Sequence, residues 1–236
     1  MNLLWLNPSK FEQHFKVLIY SLAIIFISTT SCALFLVFKF VPDDYLQKEL
    51  VKIMYIHVPA AWLSLMLYAC LSMFGMLFLI FHNPFYDIIS KSFAGVGSFM
   101  TLITLLTGSI WGKPAWGTWW VWDARLTSML ILFFIYITYI LIRDAFENEQ
   151  RAAKVSAVFA LIGLINIPII KFSVYLWNTL HQGASVIRFG SPTIHESMLY
   201  PLLTIFLGFL AFAFLMVIIE IKSELYARKL KKLSSK

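Results

Sequence analysis

The amino-acid sequence predicts an all-α membrane protein: six transmembrane helices, both termini on the cytoplasmic side, and a Trp-rich interfacial segment between the third and fourth helices. Three observations carry that expectation. Of the 236 residues, 60% are hydrophobic and 13% charged, and the mean hydropathy is +0.80, a balance far from that of soluble chains. Apolar runs recur along the whole length with short connections, so residues 1–236 read as a single polytopic membrane domain with no soluble module. The basic residues are shared unequally between the two sets of connecting segments, which sets the expected orientation.

Six runs of about 17 to 25 residues are long enough to cross the hydrocarbon layer as helices. They cover 17–38, 58–81, 93–111, 126–142, 152–170 and 198–221. The first exceeds a signal-peptide core and continues as ALFLVF beyond Cys32, so neither cleavage nor lipoprotein processing is expected. In the third, Gly95 and Gly97 predict close helix packing. In the fifth, Pro168 predicts a kink, and Asn166 can be satisfied locally or against a neighbouring helix. None carries a charge in its middle, where insertion costs about 2.5–3.5 kcal/mol.

Cys32 and Cys70 each lie in an apolar run with no CxxC or CxxCH pair. They read as small core residues, and a thiol relay or a c-type cytochrome is excluded. The chain has no P-loop, GxGxxG or HExxH. ATP hydrolysis linked to it must come from another polypeptide.

With six spans the termini share a side. That side's segments (1–16, 82–92, 143–154 and 222–236) hold twelve of the nineteen Lys and Arg residues, which places both termini in the cytoplasm. Most of the net charge of +7 sits in the tail KSELYARKLKKLSSK, a topology anchor at anionic lipid headgroups rather than a nucleic-acid site.

The opposite face carries the unusual chemistry. Residues 111–128, WGKPAWGTWWVWDARLTS, hold five of the eight tryptophans. Isolated Trp5, Trp62 and Trp177 need only the headgroup preference of indole, whereas five within twelve positions admit two readings, an interfacial belt or a ligand platform. In a helical conformation Trp116, Trp119 and Trp120 fall at i, i+3 and i+4 and share one face. Gly112, Pro114 and Gly117 allow part of the segment to be loop, open to a planar ligand. Asp123 stands where the fourth helix starts, as a cap or as a partner for Arg125. Arg125 either snorkels to headgroups or binds a carboxylate.

Two histidines flank this segment on the same face: His57 in YIHVPAAW and His181 in WNTLHQGAS. Neutral imidazole is the commonest protein ligand of transition metals, haem iron included. A flat aromatic wall of Trp116, Trp119, Trp120 and Trp122, two imidazoles and a guanidinium match a planar macrocycle, two axial positions on iron and two carboxylates. Lys52 is a second candidate for a haem carboxylate, and His195 a reserve ligand. His82 and His14 fall on the other side and cannot reach the site.

WGTWWVWDARLTS resembles the WWD signature of the haem-handling proteins of cytochrome c biogenesis, and YIHVPAAW and WNTLHQGAS resemble the two histidine loops of the CcmC branch. The similarity spans the chain, each motif in order between the expected spans. It implies haem b, carried as a transported ligand at the outer face of a bacterial or organellar inner membrane, with His57 and His181 as axial ligands. It also implies delivery to the haem chaperone CcmE, beside the subunits CcmA, CcmB and CcmD of an ABC-type complex. The role is transfer rather than enzymatic catalysis. Where the family has an arginine just upstream of the first histidine this chain has Lys52, which keeps the charge and loses the bidentate geometry.

Other classes make different demands. The haem-attaching synthetase branches CcmF and CcsA share the WWD segment, but have more spans than this chain. A permease for a non-haem substrate calls for ionisable groups near mid-membrane and for repeats, which these spans lack. A purely structural subunit of an ABC complex would make the loop histidines dispensable.

Overall fold

The computed structural model describes residues 8–177, 179–181, 183, 185–188 and 190–234, without the side chains of 8–14 and Lys232. Trp5, the His14 side chain and positions 178, 182 and 184 of the second histidine motif lie outside the described residues. The chain is helical almost throughout: α1 (Pro8–Lys39), a 3-10 turn (Glu49–Ile53), α2 (Met54–Phe81), α3 (Pro84–Trp116), α4 (Ala124–Ala145), α5 (Glu149–Gly163), α6 (Asn166–Leu176) and α7 (Glu196–Ser234). Among the described residues, six stretches are long and apolar enough to cross a membrane, α5 and α6 counting together as one.

The helices outrun the apolar runs. The segment 82–92 is almost all helix, because His82 closes α2 in the left-handed region (φ 54), giving its N–H to Phe78 O at 2.8 Å, and Asn83 at once caps α3 by accepting from Phe85 N–H at 3.0 Å. Pro84 at the first helical position suits its missing donor. The fifth span breaks at Leu164 and Ile165, where the ring of Pro168 would meet the carbonyl four residues back. Asn166 beside the break donates to Ser128 O at 2.9 Å.

α2 and α3 lie side by side as the centre of the bundle, and α4, α5 and α7 pack around them. The core runs through Leu63, Leu67, Leu71, Met100, Leu132 and Ala213. Buried hydroxyls cross between helices: Tyr68 donates to Ala160 O (2.9 Å), Tyr136 to Ser64 O (2.8 Å) and Ser90 to Leu71 O (2.8 Å). Such bonds average about 0.6 kcal/mol each between membrane helices.

Gly97 is needed for this packing, since a Cβ there would enter the ring of Tyr136, whereas one at Gly95 would meet nothing. Only one of the two glycines is a contact. Cys32 corrects a second expectation: α1 leans chiefly on α7, burying Ala33 and Val37, and the neighbouring Cys32 is exposed. Cys70 is half-buried.

Candidate haem-binding site

The site lies at the end of the bundle where α2 begins and α3 ends. Its foundation is a pair of glycines one turn apart on α3. A Cβ on Gly108 would stand 3.0 Å from His57 Cε1, and one on Gly112 would stand 2.9 Å from the ring of Trp116. The two positions therefore seat an imidazole and an indole against bare backbone. Trp111, on the same stretch of α3, meets His57 edge-on with centroids 5.7 Å apart, held by a bond from its Nε1 to Gln47 Oε1 of 2.7 Å.

The Trp segment is not one helix. α3 ends at Trp116 because Gly117 takes φ 77, with its N–H on Lys113 O at 3.0 Å, and residues 117–123 are irregular. Part of the segment is thus loop, as Gly117 allows, and Trp116, Trp119 and Trp120 do not share one helical face. Trp116 faces inward to His181, ring centroids 5.0 Å apart. Trp119 and Trp122 are exposed, at 56% and 76%. Trp120 packs edge-on against Trp122 at 5.5 Å, and its buried Nε1 has no hydrogen-bond partner among the described residues.

Asp123 caps α4, its Oδ1 accepting from Leu126 N–H at 2.8 Å. Its Oδ2 accepts from the Thr179 hydroxyl and from His181 Nδ1, the latter at 3.3 Å. No hydrogen bond joins it to Arg125, which instead donates through Nε to Ser173 Oγ (3.3 Å) and through Nη2 to Ile170 O (3.5 Å) on α6. Burial would raise the Asp123 carboxyl, but the donors from Leu126, Thr179 and His181 outweigh it and hold it below its ordinary value. Burial also draws His181 below the usual imidazole value, against the pull of Asp123. The Asp123–His181 contact is a hydrogen bond from the ring's Nδ1 to the carboxylate, 3.3 Å long.

His57 Nδ1 lies 3.1 Å from Thr107 Oγ1. That hydroxyl spends its proton on Ile103 O at 2.6 Å, so the ring must donate to it. In both rings Nδ1 is thus engaged; the His57 ring also has the Thr104 backbone carbonyl as a hydrogen-bond partner, and Nε2 of His181 has no hydrogen bond among the described residues. His57 lies within electrostatic range of both His181 and Arg125.

The reserve candidates differ. His195 is exposed and uses Nδ1 to accept from Ser197 N–H at 3.2 Å, which leaves its neutral-ring proton on Nε2. His82 ends α2 at the opposite end of the bundle. Lys52 pairs with Asp43 at 3.4 Å. Sequence reasoning missed Thr107, Gly108 and Thr179. The Thr179-x-His181 spacing was a visible sign of a side-chain turn, realised as His181 N–H on Thr179 Oγ1 at 3.1 Å.

Comparison with known proteins completes the picture. The model of the family described as "Heme exporter protein C" matches residues 2–236. A "Putative cytochrome c biosynthesis ccmC-like mitochondrial protein" of Marchantia polymorpha is 48% identical over 191 residues, 81% of each chain. The "Heme exporter protein C" of Bradyrhizobium diazoefficiens is 45% identical over 81% of this chain and 73% of its own. That of Escherichia coli K12 is 42% identical over 73% and 69%. Matched almost from end to end by the family's model and nearly half identical to such relatives, the chain belongs to the CcmC family of haem exporter C proteins.

Proposed function

We propose that this chain holds haem b as a transported ligand at the outer face of the inner membrane and hands it to a periplasmic chaperone of the CcmE type during cytochrome c maturation. The observation that carries the reading is the state of the two imidazoles. His57 and His181 stand at one end of the bundle, each with Nδ1 tied to the protein, and among the described residues Nε2 of His181 is left without a partner. An iron with two open axial positions accepts such nitrogens.

The remaining residues suit the rest of the ligand. Trp116 and Trp120 supply an apolar wall, and Trp119 and Trp122 extend it as an exposed rim where a chaperone can meet the haem edge. The orphaned Nε1 of Trp120 is a donor in want of an acceptor. Arg125, whose bonds to α6 are long, retains donors for a propionate, and Lys52 is a second cation nearby in sequence to His57. Asp123 keeps α4 and His181 in register. Binding, orientation and release are all this requires, so the protein acts as a transport component rather than an enzyme. The basic-residue asymmetry supports cytoplasmic termini and a periplasmic site. CcmA, CcmB and CcmD are the partners expected beside it.

The test is the absorption of the purified protein. Replacing His57 and His181 together by Ala abolishes the haem Soret band while the protein still inserts and assembles with its partners. An unchanged band rejects the assignment.

A further inference from the structure

This inference rests on the haem reading above and concerns how the two axial ligands differ. Asp123 is the fixed centre of its loop: Oδ1 accepts from Leu126 N–H at 2.8 Å, and Oδ2 accepts from Thr179 and from His181 Nδ1. The Asp123 side chain is 5% exposed and that of His181 19%. His57 is backed differently, by the neutral hydroxyl of Thr107 at 3.1 Å and by the Thr104 backbone carbonyl. Asp123 and Thr107 each fix the proton on Nδ1 and the lone pair on Nε2. Only the carboxylate also pushes negative charge into the ring, which makes the far nitrogen a better donor.

We propose that Asp123 is a positioning residue that locks His181 with Nε2 free for iron and makes His181 the stronger of two unequal axial ligands, Thr107 being its weaker counterpart at His57. Asn at position 123 separates this role from capping. Asn caps a helix as well as Asp, so Leu126 keeps its acceptor. Its amide nitrogen then faces the His181 ring as a donor, which favours the tautomer carrying the proton on Nε2. The lone pair is lost to the iron.

The experiment uses full-length, haem-loaded protein and compares D123N with T107V. The expected result for D123N is conversion of a six-coordinate low-spin spectrum to a five-coordinate high-spin one, restored by added imidazole, with haem affinity lowered by about 10–100-fold. T107V keeps the low-spin spectrum and loses less affinity. The inference is overturned if D123N keeps the wild-type spectrum and affinity, or if T107V changes as much. Should D123N fail to accumulate, D123S carries the same expectation, because serine still caps but is too short to reach the ring. An H181A variant with an unchanged spectrum sinks the haem-ligand reading itself. A changed H181A beside an unchanged D123N sinks this inference alone.

Discussion

Arg143 grips Asp87 with both prongs, Nη1 to Oδ1 at 2.6 Å and Nη2 to Oδ2 at 3.0 Å, with the two side chains only 5% and 6% exposed. Arg228 of α7 adds a third bond to the same carboxylate at 2.9 Å and a fourth to Glu224 at 2.9 Å, and Lys91 closes the chain on Glu224 at 2.8 Å. This network ties α3, α4 and α7 at the end opposite the proposed haem site.

Breaking a buried pair by removing one partner leaves a desolvated charge, at a cost of about 3–5 kcal/mol. Asp87→Ala is therefore expected to lower the thermal stability of the detergent-solubilised protein sharply. Asp87→Ala combined with Arg143→Met is expected to recover part of the loss. Equal midpoints for wild type and Asp87→Ala would show that the network holds nothing together.

The two glycines of α3 make a paired prediction. At Gly97 an added Cβ must displace Tyr136, whose hydroxyl holds Ser64 O at 2.8 Å. Overpacking of this kind costs about 1–3 kcal/mol. Gly97→Ala destabilises by that order, and Gly95→Ala, with open space ahead of it, does not. Thermal unfolding of the two variants side by side is the check, and comparable midpoints would refute the assigned contact.

The same pair shows what sequence can reveal. Long apolar runs announce six spans because burying that many apolar side chains has few other solutions. Which face of a helix meets a neighbour is a different matter: residues two apart on a helix point to nearly opposite sides, and nothing in the runs says which side is occupied. Cys32 failed for the same reason, one position from buried Ala33. The polar first turns of α3 fall outside the apolar run, because a hydropathy run ends where the membrane does, whereas a capped helix continues. At the site the residue types were legible from their crowding and their aromatic, imidazole and guanidinium chemistry. Their arrangement was not. Gly117 ended the helix that spacing alone would have continued, and the bond from His181 to Asp123 joins residues 58 apart in the chain.

The irregular backbone of 117–123 lets individual tryptophans be tested without breaking a helix. Trp119→Ala removes an exposed ring with Lys113 Nζ 5.9 Å from its centroid, so insertion and yield are expected to stay normal. Trp120→Ala removes a ring with a buried Nε1 and a packing partner in Trp122. Combining them is expected to weaken haem retention, measured as haem per protein after extensive washing, while membrane insertion persists. Failure of the double variant to accumulate would instead mark these rings as an interfacial anchor.

His195 supplies the control for the histidine assignment. Its backbone carbonyl accepts from Met198 N–H and Leu199 N–H, each at 3.0 Å, and its Nδ1 accepts from Ser197 N–H. The residue is thus acting as the cap of α7. Loss of a side-chain cap costs about 0.5–2 kcal/mol. His195→Ala is expected to lower stability by that order while leaving the haem spectrum unchanged, and His195→Asn, a good cap but a poor iron ligand, is expected to restore the stability. A His195→Ala protein that keeps its thermal midpoint but loses its Soret band would exchange the roles, making His195 a ligand and His57 or His181 a structural residue.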